Sequence, residues 1–170
     1  KTGDIFCQKN YTRDPSSSFG ISLKKFYHMN QLNILFKDIV DTKTEADGVV
    51  MYPMDEGVGY RTQYTLYKWK PPGKHTIDFK IVENGESVDL VVFNRGEDKT
   101  FSTITKQRSL DLGPVSTGAI VEFEYRNNEF FPVKIRNDKP IGNNYNTAKK
   151  TMVNIRENIT QKELCEMKWK

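Results

Sequence analysis

Residues 47–79 read DGVVMYPMDEGVGYRTQYTLYKWKPPGKHTIDF, and this stretch decides the fold. Its head, Asp47-Gly48-Val49-Val50-Met51-Tyr52, sets an acid and a glycine before an apolar run of β-forming residues. Further on, Lys68 and Lys70 flank Trp69. Side chains alternate across a strand, so the two lysines share one face and the tryptophan takes the other. One face then offers two ammonium groups to anionic oxygens while the indole is buried behind it. A carboxylate that can hold a metal, with two fixed ammonium groups, is the equipment a nucleoside triphosphate needs.

Outward from that stretch, the pattern is mostly β. Upstream, Asp14 to Ser18 reads as a surface loop, Ile21–Tyr27 as a strand, and Gln31–Val40 as a short helix with Leu32, Leu35, Phe36 and Ile39 on one face. Strands are expected at Asp47–Tyr52 and Thr65–Lys70, with a loop over Asp55–Arg61, and Pro71-Pro72-Gly73 stops the second strand. Downstream, His75–Val82, Ser87–Asn94, Thr100–Lys106 and Ala119–Arg126 alternate like strands, and Phe130–Ile135 adds a fifth. Turn signals separate them at Asn84-Gly85, Arg95-Gly96, Leu112-Gly113-Pro114 and Asn127-Asn128. Short strands at this spacing suit a small barrel or a sandwich. From Asn144 to Ile159 the period is helical, with Tyr145, Ala148, Met152, Ile155 and Ile159 as the apolar stripe. A last short helix is expected after Thr160 as N-cap, with Glu163 three residues on.

The 170 residues carry a net charge of +4, with 12% aromatic and 28% charged residues. That is the composition of a globular chain, long enough to bury a core. The mild basic excess is compatible with RNA or a triphosphate without singling them out. Cys7 and Cys165 are too few and too far apart for a zinc site or a disulfide framework, so free thiols are expected. No apolar run approaches the ~20 residues of a membrane span, so no membrane partner is expected.

The candidate site residues each have a plainer alternative. Asp47 suits a Mg²⁺ beside a reacting phosphate, and equally a turn before a glycine. Lys68 and Lys70 suit a phosphate, or a solvated strand face. In KIRNDKPIGNN, residues 134–144, Arg136 and Lys139 are spaced to grip phosphate oxygens, with Asp138 orienting both cations. The same string is good β-turn chemistry. His28 and His75 form no metal-ligand spacing and read as ordinary residues.

Taken in order, these strings resemble the covalent nucleotidyltransferases, the superfamily of mRNA capping guanylyltransferases and ATP-dependent ligases. Asp47-Gly48 resembles motif IV, KWKPP followed by TIDF resembles motif V of the capping branch, and RNDK with its later Asn resembles motif VI. The likeness is closest to capping enzymes of large DNA viruses. Lys24-Lys25-Phe26-Tyr27 resembles motif IIIa, which makes Phe26 or Tyr27 a candidate to stack on a purine.

The resemblance implies an α+β, mostly β chain in three parts. Residues 1–74 would be the C-terminal part of a nucleotidyltransferase domain, an antiparallel sheet. Residues 75–143 would be an OB-fold barrel, and residues 144–170 a closing helical segment. It implies GTP as substrate, Mg²⁺ or Mn²⁺ as cofactor, and transfer of GMP through a lysyl intermediate to the 5′-diphosphate end of RNA. Lys68, Lys70, Arg136 and Lys139 would bind the phosphates and Asp47 the metal. The nucleophile motif K-x-D-G is not in this chain, where Lys1-Thr2-Gly3-Asp4 has another order. The expectation is therefore the second half of such an enzyme. The missing N-terminal part, and further triphosphatase and methyltransferase domains or a partner subunit, would be its partners. A viral enzyme would work in the cytoplasm, in a viral factory or a virion, and a cellular one in the nucleus. Two alternatives stay open: a fragment of an ATP-dependent polynucleotide ligase, and a non-catalytic OB-fold module that binds RNA by charge and stacking.

Overall fold

A hydrophobic strand followed by tight turns folds back on itself, and repetition of that step builds the larger unit here. The computed structural model describes residues 25–41, 46–51, 53–55, 57, 60, 63–106, 113 and 116–167. Among them, β3 (Thr76–Asn84), β4 (Ser87–Asn94), β5 (Glu97–Thr105), β6 (Ile120–Arg126) and β7 (Glu129–Ile135) form one antiparallel sheet in the order β5-β4-β3-β6-β7. The turn between β6 and β7 holds Asn127 and Asn128 at φ 51° and 63°, the type I′ geometry that matches the twist of a hairpin.

That strand order is the connectivity of an OB barrel, partly open because no ladder joins β5 to β7. Aromatic packing closes the gap instead. Phe79 on β3 is fully buried, with ring centroids 5.5 Å from Phe101 on β5, 5.7 Å from Phe123 on β6 and 5.1 Å from Phe130 on β7. Phe101 and Phe130 meet edge-on at 6.4 Å across the open side. Each such pair adds about 0.5–1.5 kcal/mol beyond its burial, enough to hold two strand edges that share no ladder.

The helix α2 (Tyr145–Glu157) packs on this barrel. Asn144 caps its start by accepting from the Asn146 amide, and Asn158 ends it in the left-handed region at φ 49°. Ala148 and Met152 are buried in the barrel core, with Tyr145 and Ile155 packed beside them. Tyr145, Ala148, Met152 and Ile155 of the expected apolar stripe therefore form the packing face, while Ile159 lies past the end of the helix and is exposed.

A second, smaller unit gathers the first half of the chain. The helix α1 (Leu32–Asp41) lies next to a two-stranded antiparallel sheet of β1 (Val49–Met51) and β2 (Tyr67–Trp69). Two strands are marginal in water, so the sheet depends on a covered face. Leu32, Phe36, Val49 and Trp69 supply that cover, with Phe36 edge-on to Trp69 at 5.4 Å. Leu164 of α3 (Gln161–Glu166) completes the cluster. Thr160 and Glu163 form the expected capping box at the start of α3. The last helix thus returns to the first half of the chain, and the Trp69 indole donates to the Ile159 carbonyl at 2.9 Å.

The α+β, mostly β architecture with its barrel and helical close agrees with the reading of the sequence. Strand ends differ by a few residues, since β5 starts at Glu97 and not at Thr100. One expectation is corrected: Lys25 to Tyr27 is not strand. Tyr27 and Lys25 both turn to Asp38 on α1, and these side-chain contacts replace a ladder. Residues 1–24, Tyr52 and Leu112 lie outside the described residues, and with them Asp14–Ser18, Cys7 and the start of the expected Ile21 strand. Cys165 is a free, half-buried thiol. No helix among the described residues is long and apolar enough to cross a membrane.

Trp69→Phe keeps an aromatic ring in the cluster but leaves the Ile159 carbonyl without its donor. Ile159 is 36% exposed, so water takes the donor's place and only the net hydrogen bond of about 0.5–1.5 kcal/mol is lost; at about 2–4 °C per kcal/mol for a chain of this size, thermal unfolding is expected roughly 1–6 °C lower. An unchanged midpoint would show that the indole bond carries no weight.

Candidate functional site: two charged clusters

The first cluster is built by a glycine. A regular pleat would put Asp47 on the Val49 face, with the buried cluster. Gly48 sits at φ 152°, and a Cβ there would lie 2.0 Å from the Trp69 carbonyl oxygen. Only glycine lets β1 approach β2 so closely, and its backbone turns Asp47 off the pleat. Asp47 Oδ2 then meets Lys70 Nζ at 3.1 Å and Lys68 Nζ at 3.5 Å. Trp69, between the lysines, points inward and is buried, as alternation requires. Lys70, then Lys68, hold the Asp47 carboxyl below its ordinary value of 3.8.

β2 borders a cleft of about 300 Å³, whose lining includes Lys68 and Lys70. Tyr67, Trp69, His75, Asn158, Ile159 and Met167 also line it. Burial, and then the charge of Lys70, push His75 below its ordinary 6.5.

The second cluster starts from an awkward pairing. Asp78 on β3 and Glu122 on β6 are cross-strand partners, and like charges opposed across a ladder repel. Arg136, just after β7, bridges them: its Nη1 lies 2.9 Å from Asp78 Oδ1 and 3.4 Å from Glu122 Oε2. Its Nε and Nη2 make a bidentate pair with Asp138 at 2.9 and 2.8 Å. Lys139 Nζ pairs with the other Asp78 oxygen, Oδ2. Lys134 and the Thr76 hydroxyl hold Glu122 at 3.3 and 2.7 Å.

The backbone of residues 136–144 is sewn to the same place. β3 and β4 pair only as far as Lys80 and Val91, and beyond that the segment fills the gap between them. Asn143 donates its amide to the Asp78 carbonyl at 2.7 Å and accepts the Asp78 amide on Oδ1 at 2.8 Å. Its own carbonyl takes the Phe93 amide at 3.1 Å. Gly142 permits the approach, because a Cβ there would lie 3.0 Å from the Asp78 carbonyl oxygen and 3.1 Å from the Lys80 amide.

The electrostatics follow from these contacts. The Arg136 fork holds the Asp138 carboxyl down at about 2, against an ordinary 3.8. Asp138 foremost, with Asp78 and Glu122, raises Arg136 above its already high ordinary value. Burial pushes Glu122 up, but the Thr76 hydroxyl, Lys134 and Arg136 outweigh it and leave Glu122 below 4.5.

The fold therefore brings Asp47, Lys68 and Lys70 together, and separately Arg136, Asp138 and Lys139. Among the described residues no hydrogen bond or ion pair joins the two groups. Asp138 hydrogen-bonds only Arg136 of its two expected partners, while Lys139 goes to Asp78. Phe26 is 68% exposed, and Tyr27 spends its hydroxyl on Asp38. Asp78 and Glu122 did not stand out in the sequence. The available signal was an acid on the outer face of a strand, where aspartate is disfavoured.

Could Asp47 hold a divalent cation? The described residues contain no group of three or more His, Cys, Asp or Glu side chains suited to a metal. Asp47 is a single carboxylate, 69% exposed, with two ammonium groups on one oxygen. This donor set fits Mg²⁺ that arrives with phosphate oxygens, where one carboxylate suffices.

Comparison with known proteins adds family evidence. Residues 62–165 match a family described as the mRNA capping enzyme, C-terminal domain. The mRNA-capping enzyme of Mus musculus is 28% identical over 176 residues, covering 98% of this chain and 28% of the mouse protein. The chain thus spans little more than a quarter of that relative's length.

Two outcomes follow from the geometry. Gly142→Ala presses on backbone atoms that the sheet holds in place, so a loss of about 1–3 kcal/mol in urea unfolding is expected. The second concerns pH. Asp47, Glu122 and Asp138 have depressed folded values, so the unfolded chain takes up protons first as pH falls. Their contribution is complete above their ordinary 4.5 and 3.8 and is lost on the way down to about 2. His75 works in the same sense from 6.5 downward. The urea midpoint should decline gently below pH 6.5 and steeply below 4.5, and His75→Gln should remove only the gentle phase. A midpoint that rises on acidification would contradict this.

Proposed function

This chain belongs to the family of mRNA capping enzyme C-terminal domains, and on that premise we propose that it is the phosphate-handling half of an RNA guanylyltransferase. The longer protein would transfer GMP from GTP to a lysine outside this chain, and then to the diphosphate end of an RNA. The KWKPP and TIDF strings support an enzyme of the kind found in large DNA viruses.

The observation that carries it is the convergence of Lys68 and Lys70 on one exposed carboxylate, Asp47. Two ammonium groups on a short strand backed by a buried tryptophan would meet an α-phosphate as it gains charge during attack. Fixed cations of this kind stabilise developing charge without reorganising. Asp47 would be the protein ligand of a nucleotide-borne Mg²⁺, which supplies Lewis-acid neutralisation of phosphate oxygens. Lys68 and Lys70 would then turn from Asp47 to the phosphate. Arg136 and Lys139 would take the β- and γ-phosphates when the barrel closes over the nucleotide. Phe26 or Tyr27 would stack on the purine.

The test is intact mass after incubation with GTP and Mg²⁺, on this chain and on the polypeptide extended upstream. An adduct of GMP on the extended protein alone is expected. Lys70→Ala in that protein should slow its formation by about 10²–10³-fold, the usual cost of removing one such donor. Labelling by ATP and not GTP would transfer the chain to the ligases. No adduct with either nucleotide would leave a nucleic-acid-binding barrel.

A further inference from the structure

Arg136 has five N–H groups in a rigid fork. The Nη1 side faces inward to Asp78 and Glu122, whose side chains are 7% and 14% exposed. The Nε–Nη2 side faces outward, and Asp138, 67% exposed, fills it with both oxygens. Three cations (Lys134, Arg136, Lys139) therefore meet three carboxylates (Asp78, Glu122, Asp138), and the cluster is neutral as it stands.

A carboxylate and a phosphate present the same two-oxygen edge to a guanidinium fork. The buried carboxylates cannot leave without stranding a charge, because Asp78 also holds Lys139 and Glu122 also holds Lys134. Asp138 has no such duty. Its hydrogen-bonded partner is Arg136, two residues away, and water is ready to receive it.

We propose that Asp138 is a resident stand-in for phosphate, occupying the outward fork of Arg136 until a polyphosphate displaces it. This inference rests on the reading that Arg136 and Lys139 face the nucleotide's phosphates. It gives Asp138 a role opposite to that of a residue that merely orients Arg136. An orienting residue raises affinity for phosphate, whereas a competing one lowers it. The inner pair, Asp78 and Glu122, already fixes the guanidinium plane, so orientation survives the loss of Asp138. Displacement leaves Arg136 charged, since a guanidinium keeps its proton in proteins and Asp78 and Glu122 stay beside it.

The probe is inorganic tripolyphosphate, titrated by calorimetry into this chain, into Asp138→Asn, and into Asp98→Asn. Asp98 pairs with Lys80 on the barrel at 2.6 Å, so its substitution changes the net charge equally at another place. Asp138→Asn is expected to bind about two- to five-fold tighter than the parent, the range that an exposed ion pair spans. Asp98→Asn should show a smaller gain, and Arg136→Lys should weaken binding. The Arg136 Nε–H resonance should move on titration of the parent. Weaker or equal binding by Asp138→Asn, a gain matched by Asp98→Asn, or no binding by any form would overturn the proposal. Tripolyphosphate carries neither base nor sugar, so these outcomes are separate from GMP transfer. Failure here leaves the guanylyltransferase reading standing with its phosphate grip elsewhere, and failure of GTP labelling leaves a polyphosphate result intact.

Discussion

One buried carboxylate organises the barrel end of this protein. Asp78 sits on the outer face of β3, yet it is 5% exposed because residues 136–144 wrap it. Its amide, its carbonyl and both carboxylate oxygens are all bonded to that segment. A buried charge that loses its partner typically costs about 3–5 kcal/mol. The segment is therefore held where Arg136 and Lys139 can satisfy Asp78, and the position of both cations follows. The opposition of Asp78 and Glu122 across the ladder makes the bridging guanidinium a requirement of the sheet as well as a feature of the surface.

The same segment leads into α2, and α2 leads through Asn158 to α3. This path ties the barrel to the small sheet. Leu164 docks beside Trp69, and the Trp69 indole holds the Ile159 carbonyl. A two-stranded sheet with a single covered face gains its order from these contacts. Among the described residues no hydrogen bond or ion pair joins the lysine strand to the arginine loop, and packed helices lie between them on this path from one to the other.

Local sequence signals were strong where one residue type decides the geometry. The Thr160–Glu163 box and the Asn127-Asn128 turn appear as expected, because each depends only on neighbours in the chain. The stripe of α2 and the alternation of Lys68, Trp69 and Lys70 were legible for the same reason. Lys25 to Tyr27 misled, since aromatic residues beside lysines suit a strand but here find Asp38 instead. The roles of Asp78 and Glu122 were illegible, because their partners lie 58 and 14 residues away from each acid, at Arg136.

By itself the sequence determined the element types from α1 onward, the hairpin turn at Asn127-Asn128, the faces that carry charge, and an order of strings that resembles the capping branch. These depend on short-range sterics and on periodicity, which a chain displays directly. Tertiary structure alone decided which charges meet. Asp47 reaches Lys70 and Lys68 only because Gly48 lets two backbones touch, and Asp138 fills the Arg136 fork only because Asp78 and Glu122 have claimed its other side. Ion pairing is a competition among all the charges that a fold brings within a few ångströms, and no stretch of sequence contains that set.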